Sequence, residues 1–303
     1  MSKIIVIGSI SMDLVMETNQ IPNQGETVFG EQFSMVPGGK GANQAVAIGR
    51  LSNERDKVYM IGAVGKDAFA EQLLMNLKEN QIDMSFVGTV PQSTGVAQIT
   101  LYEKDNRIIY CPGANAKVST NDWQEEWDLL KNADLVVLQN EISHETNLAI
   151  AQFCHEHQVK VIYNPAPARK TDFELLEYVD FITPNEYESQ QLFANQNQEA
   201  MLKAYPNKLI VTLGEKGSVF YDGNNIKQVP AIKSEVVDTT GAGDTFNGAL
   251  AYALANQLST ESALKFATLA SHLSVQKFGA QGGMPTLEEM KENKAYEKEW
   301  TFK

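Results

Sequence analysis

Short runs of β-branched and other apolar residues recur along the chain between stretches whose apolar positions fall three and four apart. The runs are "KIIVIGSI", "VYMIGAVG", "ADLVVLQNE", "KVIYNPAP", "DFITPNE" and "LIVTLGEKGSVFY". Each is nearly continuous in Val, Ile or Leu, the pattern of parallel strands buried on both faces. Between and after them lie "GANQAVAIGRLS", "DAFAEQLLMNLKEN", "ETNLAIAQFCHEHQ", "TFNGALAYALANQ" and "ESALKFATLASHLSVQKF", all at helical spacing. The alternation predicts an α/β fold, a doubly wound and mostly parallel sheet flanked by helices, as one domain over residues 1–303. Residues 12–37 and 94–110 break the rhythm, the second alternating around a turn at "EKDNR". They predict antiparallel strands outside the main sheet, a small β lid made by two insertions, with a spare apolar face that favours a homodimer. The tail "EEMKENKAYEKEWTFK" reads as a surface helix end.

Composition narrows the partners. With 25 Lys+Arg against 38 Asp+Glu the net charge is -13, which argues against a broad nucleic-acid or acidic-membrane surface, so any anionic ligand must be held by local devices. No run is long enough to span a bilayer, and the opening apolar stretch is too short for a signal segment, so a cytoplasmic protein is expected. Cys111 and Cys154 are far apart without C-x-x-C spacing and read as free reduced thiols. The histidines of "HEHQ", residues 155–158, fall on an amphipathic helix without a third ligand and read as surface residues.

Ligands of such sheets bind beyond the carboxyl ends of the strands, where helices begin. In "VVDTTGAGDTFNGALAYAL", Gly241, Ala242 and Gly243 let backbone N–H groups converge at a helix start, an anion hole with Asp244 beside it. Asp244 alone reads equally as a helix cap; the run of small residues before it favours a phosphate pressed against backbone. In "PGGKGANQAVAIGR", Gly39, Gly41 and Ala42 around Lys40 again permit close approach, and Asn43 presents an amide to hydroxyl groups. A loop with a solvated lysine is the plainer account of Lys40. Asp13, in "SISMDLV" at the close of the first strand, suits a polyol or stabilises a turn. Glu141 follows a buried strand, where an idle charge is costly. Asn185 and Glu188, with Thr212, Gly214 and Gly217, follow two further strands and fit nucleotide phosphate and magnesium, the metal held through water.

A Walker loop, a complete G-x-G-x-x-G (Phe246 stands at its last glycine), an H-R-D or D-F-G set, a G-x-S-x-G elbow and an H-E-x-x-H helix are all missing from the sequence. By contrast "GGKGANQA", "YCPGANAKVS", "TPNEYE", "VTLGEKG" and "DTTGAGDTFNGAL" occur in one order over nearly the whole chain, which resembles the ribokinase-like family of sugar and nucleoside kinases. Of these, "GGKGANQA" with "PGAN" points to its ribose-phosphorylating members. The resemblance implies an α/β fold with a β lid, dimerised through that lid, and transfer of the γ-phosphate of ATP to the 5-hydroxyl of ribose. It makes Asp244 the catalytic base beside the anion hole of Gly241, Ala242 and Gly243. Ser11, Met12, Asp13, Gly39, Lys40, Gly41, Ala42, Asn43, Glu141 and Asp244 take sugar-binding positions. Asn185, Thr212, Leu213, Gly214, Glu215, Lys216, Gly217, Gly243 and Thr268 take nucleotide positions. Glu188 falls in a motif linked to Mg2+, while Asp238, Thr240, Ser274, Lys277, Gly279 and Gly283 match a K+ site formed mostly by backbone carbonyls.

Two departures stand out. Ser11 occupies the place of a family asparagine, which removes an amide that reads a sugar hydroxyl, and residues 190–207 are short for the family. In phosphoryl transfer most catalysis is positioning and electrostatics, and an ordinary carboxylate is too weak a base to ionise an alcohol beforehand. Asp244 is therefore expected to orient the hydroxyl and accept its proton late, with Lys40 offsetting charge. The competing readings are a kinase of the same fold for deoxyribose, another sugar or a nucleoside, a sugar-sensing module without turnover, and a nicotinamide oxidoreductase, which lacks its glycine fingerprint.

Overall fold

The computed structural model describes residues 2–103, 105–194, 196–233, 235–300 and 302. In chain order the elements are β1 (Lys3–Ile7), β2 (Ser11–Glu17), β3 (Gln32–Gly38), α1 (Lys40–Leu51), β4 (Lys57–Val64), α2 (Ala68–Glu79), β5 (Asp83–Thr89), β6 (Gly95–Tyr102) and β7 (Asp105–Cys111). Then come α3 (Glu125–Lys131), β8 (Leu135–Gln139), α4 (His144–Glu156), β9 (Lys160–Asn164), β10 (Phe181–Ile182), α5 (Glu186–Leu192) and α6 (Gln198–Ala204). The chain continues through β11 (Ile210–Thr212), β12 (Ser218–Tyr221), β13 (Ile226–Val229), α7 (Ala242–Ala255), α8 (Thr260–Ser274) and α9 (Leu287–Glu292).

A six-stranded parallel sheet, ordered β10-β9-β8-β1-β4-β5, forms the platform. Its central strand shows why the apolar runs are continuous. Ile4 and Val6 pack into the layer that holds α1, α7 and α8, whereas Ile5 and Ile7 pack into the layer under α4. Side chains alternate faces along a strand, so a strand covered on both sides has no polar position to spare. The edge strand β5, "DMSFVGT", carries too few apolar residues to be read from the sequence.

Three expectations are corrected. "LIVTLGEKGSVFY" is not one parallel strand: β11 turns through Gly214–Lys216 and returns as β12, giving the antiparallel sheet β11-β12-β13. Gly214 and Gly217, at φ 56 and 93, make that reversal. Isolated parallel bridges, Ile182 to Leu209 and Asn185 to Thr212, tie it to β10 and the residues that follow it. The second sheet, β3-β2-β6-β7, is mixed and not wholly antiparallel, because β2 and β6 run parallel in register Ser11 to Gly95; they come from two separate insertions that leave the main sheet in the same direction. Lys104, in the predicted turn at "EKDNR", lies outside the described residues, as does Asn195 within 190–207. The tail is no simple surface helix end: Trp300 is buried edge-on to Phe266 with ring centroids 5.4 Å apart.

The helix carrying Asp244 is itself buried. α7 lies between α1 and α8, and eleven of its residues from Asp244 to Leu254 are buried. Gly248 allows the approach of α1: a Cβ there would stand 2.6 Å from the Ala47 Cβ and 2.9 Å from the Gln44 carbonyl oxygen. The close crossing sets the first turn of α1 against the first turn of α7. Among the described residues no helix is long and apolar enough to cross a membrane.

Candidate active site

The chain leaves β1 at Gly8 and turns into β2, so Asp13 belongs to the second sheet and not to the end of the first strand. This turn would strand the Ile10 backbone, but the Asn115 carboxamide accepts from Ile10 N at 2.9 Å and donates to its carbonyl at 3.1 Å. Asn115 is the asparagine of "PGAN". Gly38 and Gly39 then bring the end of β3 against this corner. A Cβ on Gly38 would lie 2.4 Å from the Asp13 carboxylate, and one on Gly39, at φ 88, would lie 2.8 Å from Ser11 N. Lys40 opens α1 and does not sit in a loop.

Glu141, just past β8, ties the corner together. Its Oε2 accepts from Ser9 Oγ at 2.5 Å and from Lys40 N at 2.9 Å. Behind it the Asn140 carboxamide donates to Asp172 at 2.5 Å and accepts from the Tyr163 hydroxyl at 2.8 Å. Asp13, Glu141, Asp244 and Lys40 therefore share one region. Burial, reinforced by Glu141 and Asp244, pushes the Asp13 carboxyl up to about 7. Asp244 leads Glu141, Glu188 and Asp13 in holding the Lys40 ammonium above its ordinary value, against the opposing effect of burial. The Glu188 carboxyl is raised, chiefly by burial, and senses both Lys40 and Asp244.

Asp244 is buried and accepts on both oxygens. Asn43 Nδ2 donates to Oδ2 at 2.9 Å and Gln44 Nε2 to Oδ1 at 3.0 Å. The direction of each amide is set further out. Gln139 Nε2 donates to Gln44 Oε1 at 2.7 Å, so Gln44 must turn its nitrogen to Asp244, where it also reaches Asn164 Oδ1 at 3.2 Å. Gln281 Nε2 donates to Asn43 Oδ1 at 2.9 Å, and Asn76 Nδ2 donates to Gln281 Oε1 at 2.8 Å. This chain of carboxamides holds the carboxylate as an acceptor in one orientation. A helix cap does not account for it, since Asp244 lies in the first turn and Gly241 is the capping residue, without a side-chain cap.

At the helix start, Gly241 adopts φ 75, and a Cβ there would meet the Ala280 carbonyl oxygen at 2.3 Å, so both the conformation and the space call for glycine. Gly243 faces open space. The Ala242 amide is bound to the Thr239 carbonyl at 3.2 Å, so of the three expected anion-hole amides this one is already engaged. Asn185 and Glu188 form a reciprocal cap of α5, each backbone N–H donating to the other's side chain at 2.8 Å. Asn185 sits beside Thr212 through the bridge, and Leu213 N closes on Gly217 O at 2.7 Å around Glu215 and Lys216. Thr268 is buried on α8, three residues before Ser271, whose hydroxyl donates to Ala242 O at 3.2 Å; that face of α8 adjoins the start of α7.

Of the potassium candidates, Asp238 accepts from Thr240 N at 2.9 Å and Gly279 N at 2.8 Å. Burial would raise its carboxyl, but these hydrogen bonds hold it below the ordinary value. Gly283 packs on the Ser274 carbonyl, 1.8 Å from where its Cβ would be. The Lys277 ammonium turns away to Glu289 at 3.3 Å. Met12 is buried beside the corner, whereas Cys111 is exposed and Cys154 buried, both free. His155 and His157 lie on the surface of α4 and its end. Sequence reasoning missed Gln44 and Asn115, although both lie in quoted motifs, and also Gln139, Asn164 and Gln281, for which spacing gave no signal.

Residues 1–287 match the model of the pfkB family of carbohydrate kinases. The chain is 62% identical over 291 residues to a ribokinase of Lactococcus lactis, covering 96% of each chain. It is 37% identical over 301 residues to a deoxyribokinase of Salmonella typhi, covering 95% of this chain and 97% of the relative. Among solved structures, the ribokinase of Arabidopsis thaliana complexed with ribose and ATP superposes with TM-score 0.87 at 32% identity, covering 96% of this chain and 98% of the other. The chain belongs to the pfkB family of carbohydrate kinases. It is thus a phosphotransferase with an alcohol acceptor.

Proposed function

We propose that the chain transfers the γ-phosphoryl group of ATP to the 5-hydroxyl of D-ribose, giving ribose 5-phosphate and ADP. The observation that carries this reading is Asp244, fixed by two amide donors at the start of α7 with the Lys40 cation beside it. Asp244 orients the primary hydroxyl and takes its proton as the new bond forms. Lys40, the α7 dipole and the backbone at Gly241 and Gly243 offset the charge on the transferring group. Asp13, Glu141 and Asn43 hold the remaining hydroxyls; Asn185, the 212–217 turn and Thr268 hold the nucleotide.

The oxygen-rich donor set suits hard cations. Glu188 would hold magnesium through water, and Asp238 with the carbonyls about Thr240, Ser274, Gly279 and Gly283 would hold potassium; when bound, these ions supply neutralisation of phosphate charge. Lys277 would join that set through its backbone carbonyl, its ammonium being engaged with Glu289. The four-stranded sheet acts as a lid and, through its outer apolar face, pairs two copies into a homodimer. The enzyme works in the cytoplasm on a free sugar and ATP.

The test is ADP release with ATP, Mg2+ and K+ over ribose, 2-deoxyribose, fructose and nucleosides. Ribose is expected to give the highest kcat/KM. A higher value for another acceptor replaces ribose in this reading, and ADP release that no acceptor stimulates ends it.

A further inference from the structure

The departure at Ser11 raises the question of which group reads the sugar where the family's asparagine amide is missing. The register of the second sheet answers it. Asp13 on β2 pairs with Ala97 on β6, which pairs with Tyr110 on β7. Residues in one such row project from the same face, and the outer two lie two strand spacings apart, roughly 10 Å. The residue between Asp13 and Tyr110 in this row is Ala97, whose side chain is a single methyl group. The row is a trough walled by two polar groups, with Glu141 close enough to both to influence their charge.

The hydrogens in this corner can be counted. One N–H of Asn115 is committed to the Ile10 carbonyl by the reciprocal bond described above. The other is shared between Ser11 Oγ and the Tyr110 hydroxyl oxygen, each 3.0 Å from Nδ2. Both hydroxyls thus accept from the same carboxamide and keep their own protons. The Ser11 hydroxyl donates to the phenol oxygen, a contact that by itself lowers the phenol, which leaves the Tyr110 proton uncommitted. Ser11 and Asn115 are buried behind, whereas Tyr110 is half-buried and reaches the trough. Burial, reinforced by Glu141, pushes the phenol up to about 12, so it stays protonated and able to donate.

The order of groups fixes which end of the sugar this is. β3 leads directly into α1, whose Asn43 and Gln44 hold Asp244, and it pairs with β2 on the side opposite β6 and β7. Asp244 thus marks the end of the transferred hydroxyl, and Tyr110 lies beyond Asp13 at the other. We propose that Tyr110, braced by Ser11 and Asn115, is a specificity-determining residue that donates to the hydroxyl on the C1–C2 edge of the pentose and so distinguishes ribose from 2-deoxyribose. The assignment rests on the sugar-kinase reading and deepens it.

The experiment compares the wild type with Tyr110→Phe, measuring kcat and KM for ribose and for 2-deoxyribose, sugar binding by calorimetry without nucleotide, and the thermal midpoint. The phenyl ring keeps the packing and removes only the hydroxyl. Expected is a fall of about 10-fold or more in kcat/KM for ribose, carried by KM and matched in calorimetry, against less than about 3-fold for 2-deoxyribose. A fall of equal size for both sugars overturns the proposal, because a structural role acts on both alike; so does an unchanged ratio. Wild-type protein that releases no ADP with either sugar defeats the kinase reading, while calorimetry still decides whether Tyr110 reads the hydroxyl.

Discussion

The two sheets that meet at the site are built on opposite terms. In the parallel sheet, β1 is fully buried from Ile4 to Ile7, and the helix packed nearby holds Asp244 between two amides whose own directions are set by further buried groups. The four-stranded sheet turns Asp13, Ala97 and Tyr110 to the site but leaves Met16, Phe33, Met35 and Ile109 exposed along its other face. The first region spends its polar atoms on one another and fixes the chemistry. The second keeps polar atoms uncommitted and leaves an apolar surface uncovered.

The largest effect is expected where the fixed region is broken. Asp244→Asn should lower kcat by about 10^3-fold or more with sugar affinity retained. It should also lower the thermal midpoint, because an amide there must point its NH2 at Asn43 or Gln44, both already donors. Turnover within 10-fold of wild type would remove Asp244 as the base. Next is Gln44→Glu, which sets a second carboxylate against Asp244, among the charges of Lys40, Asp13 and Glu188 that already face it. We expect kcat to fall by about 10^2-fold and the acidic limb of its pH profile to move upward; a fall without that movement would make Gln44 merely structural.

Smaller effects sharpen the contrast from the lid side. Ile109→Asp should convert a dimer to a monomer in sedimentation velocity, with kcat/KM changed about 10-fold or less. Wild-type protein sedimenting as a monomer would leave the apolar face unexplained. Smallest is a stability effect at Asp13. With a folded-state value of about 7 against an ordinary 3.8, the folded chain keeps a proton that the unfolded chain has released. Stability is therefore lost as pH rises through that window and stays lost above it. Asp13→Asn should melt level with wild type near pH 4 and a few degrees higher at pH 8, with weakened sugar binding. Parallel melting curves across that range would show that Asp13 is not held at such a cost.

The same division decided what could be read without coordinates. Strands buried on both faces announce themselves, so the platform was legible except for β5, whose "DMSFVGT" has too little apolar content. The hairpin return at Gly214–Gly217 was not legible, because two short apolar runs joined by a turn look like one long strand. Small-residue motifs located the Asp244 and Lys40 neighbourhood, since close backbone approach demands glycine wherever it occurs, and Glu141 was marked by its charge directly after a buried strand. Partners such as Gln281 and Asn164 left no trace, because an amide that meets another amide across the fold needs no particular neighbours in sequence. Asp13 fell to the wrong sheet for a related reason: a turn of three residues, stabilised by the distant Asn115, leaves no Gly-Pro or Asn-Gly signature in "GSI".

Asp13 and Asp244 ride on different sheets' supports, one on the outer insertion and one on a core helix. A pentose long enough to touch both is a strap between them, and a water molecule is not. On the proposed reading, discrimination against wasteful hydrolysis is a matter of reach: only an acceptor long enough to meet both carboxylates is held at both ends.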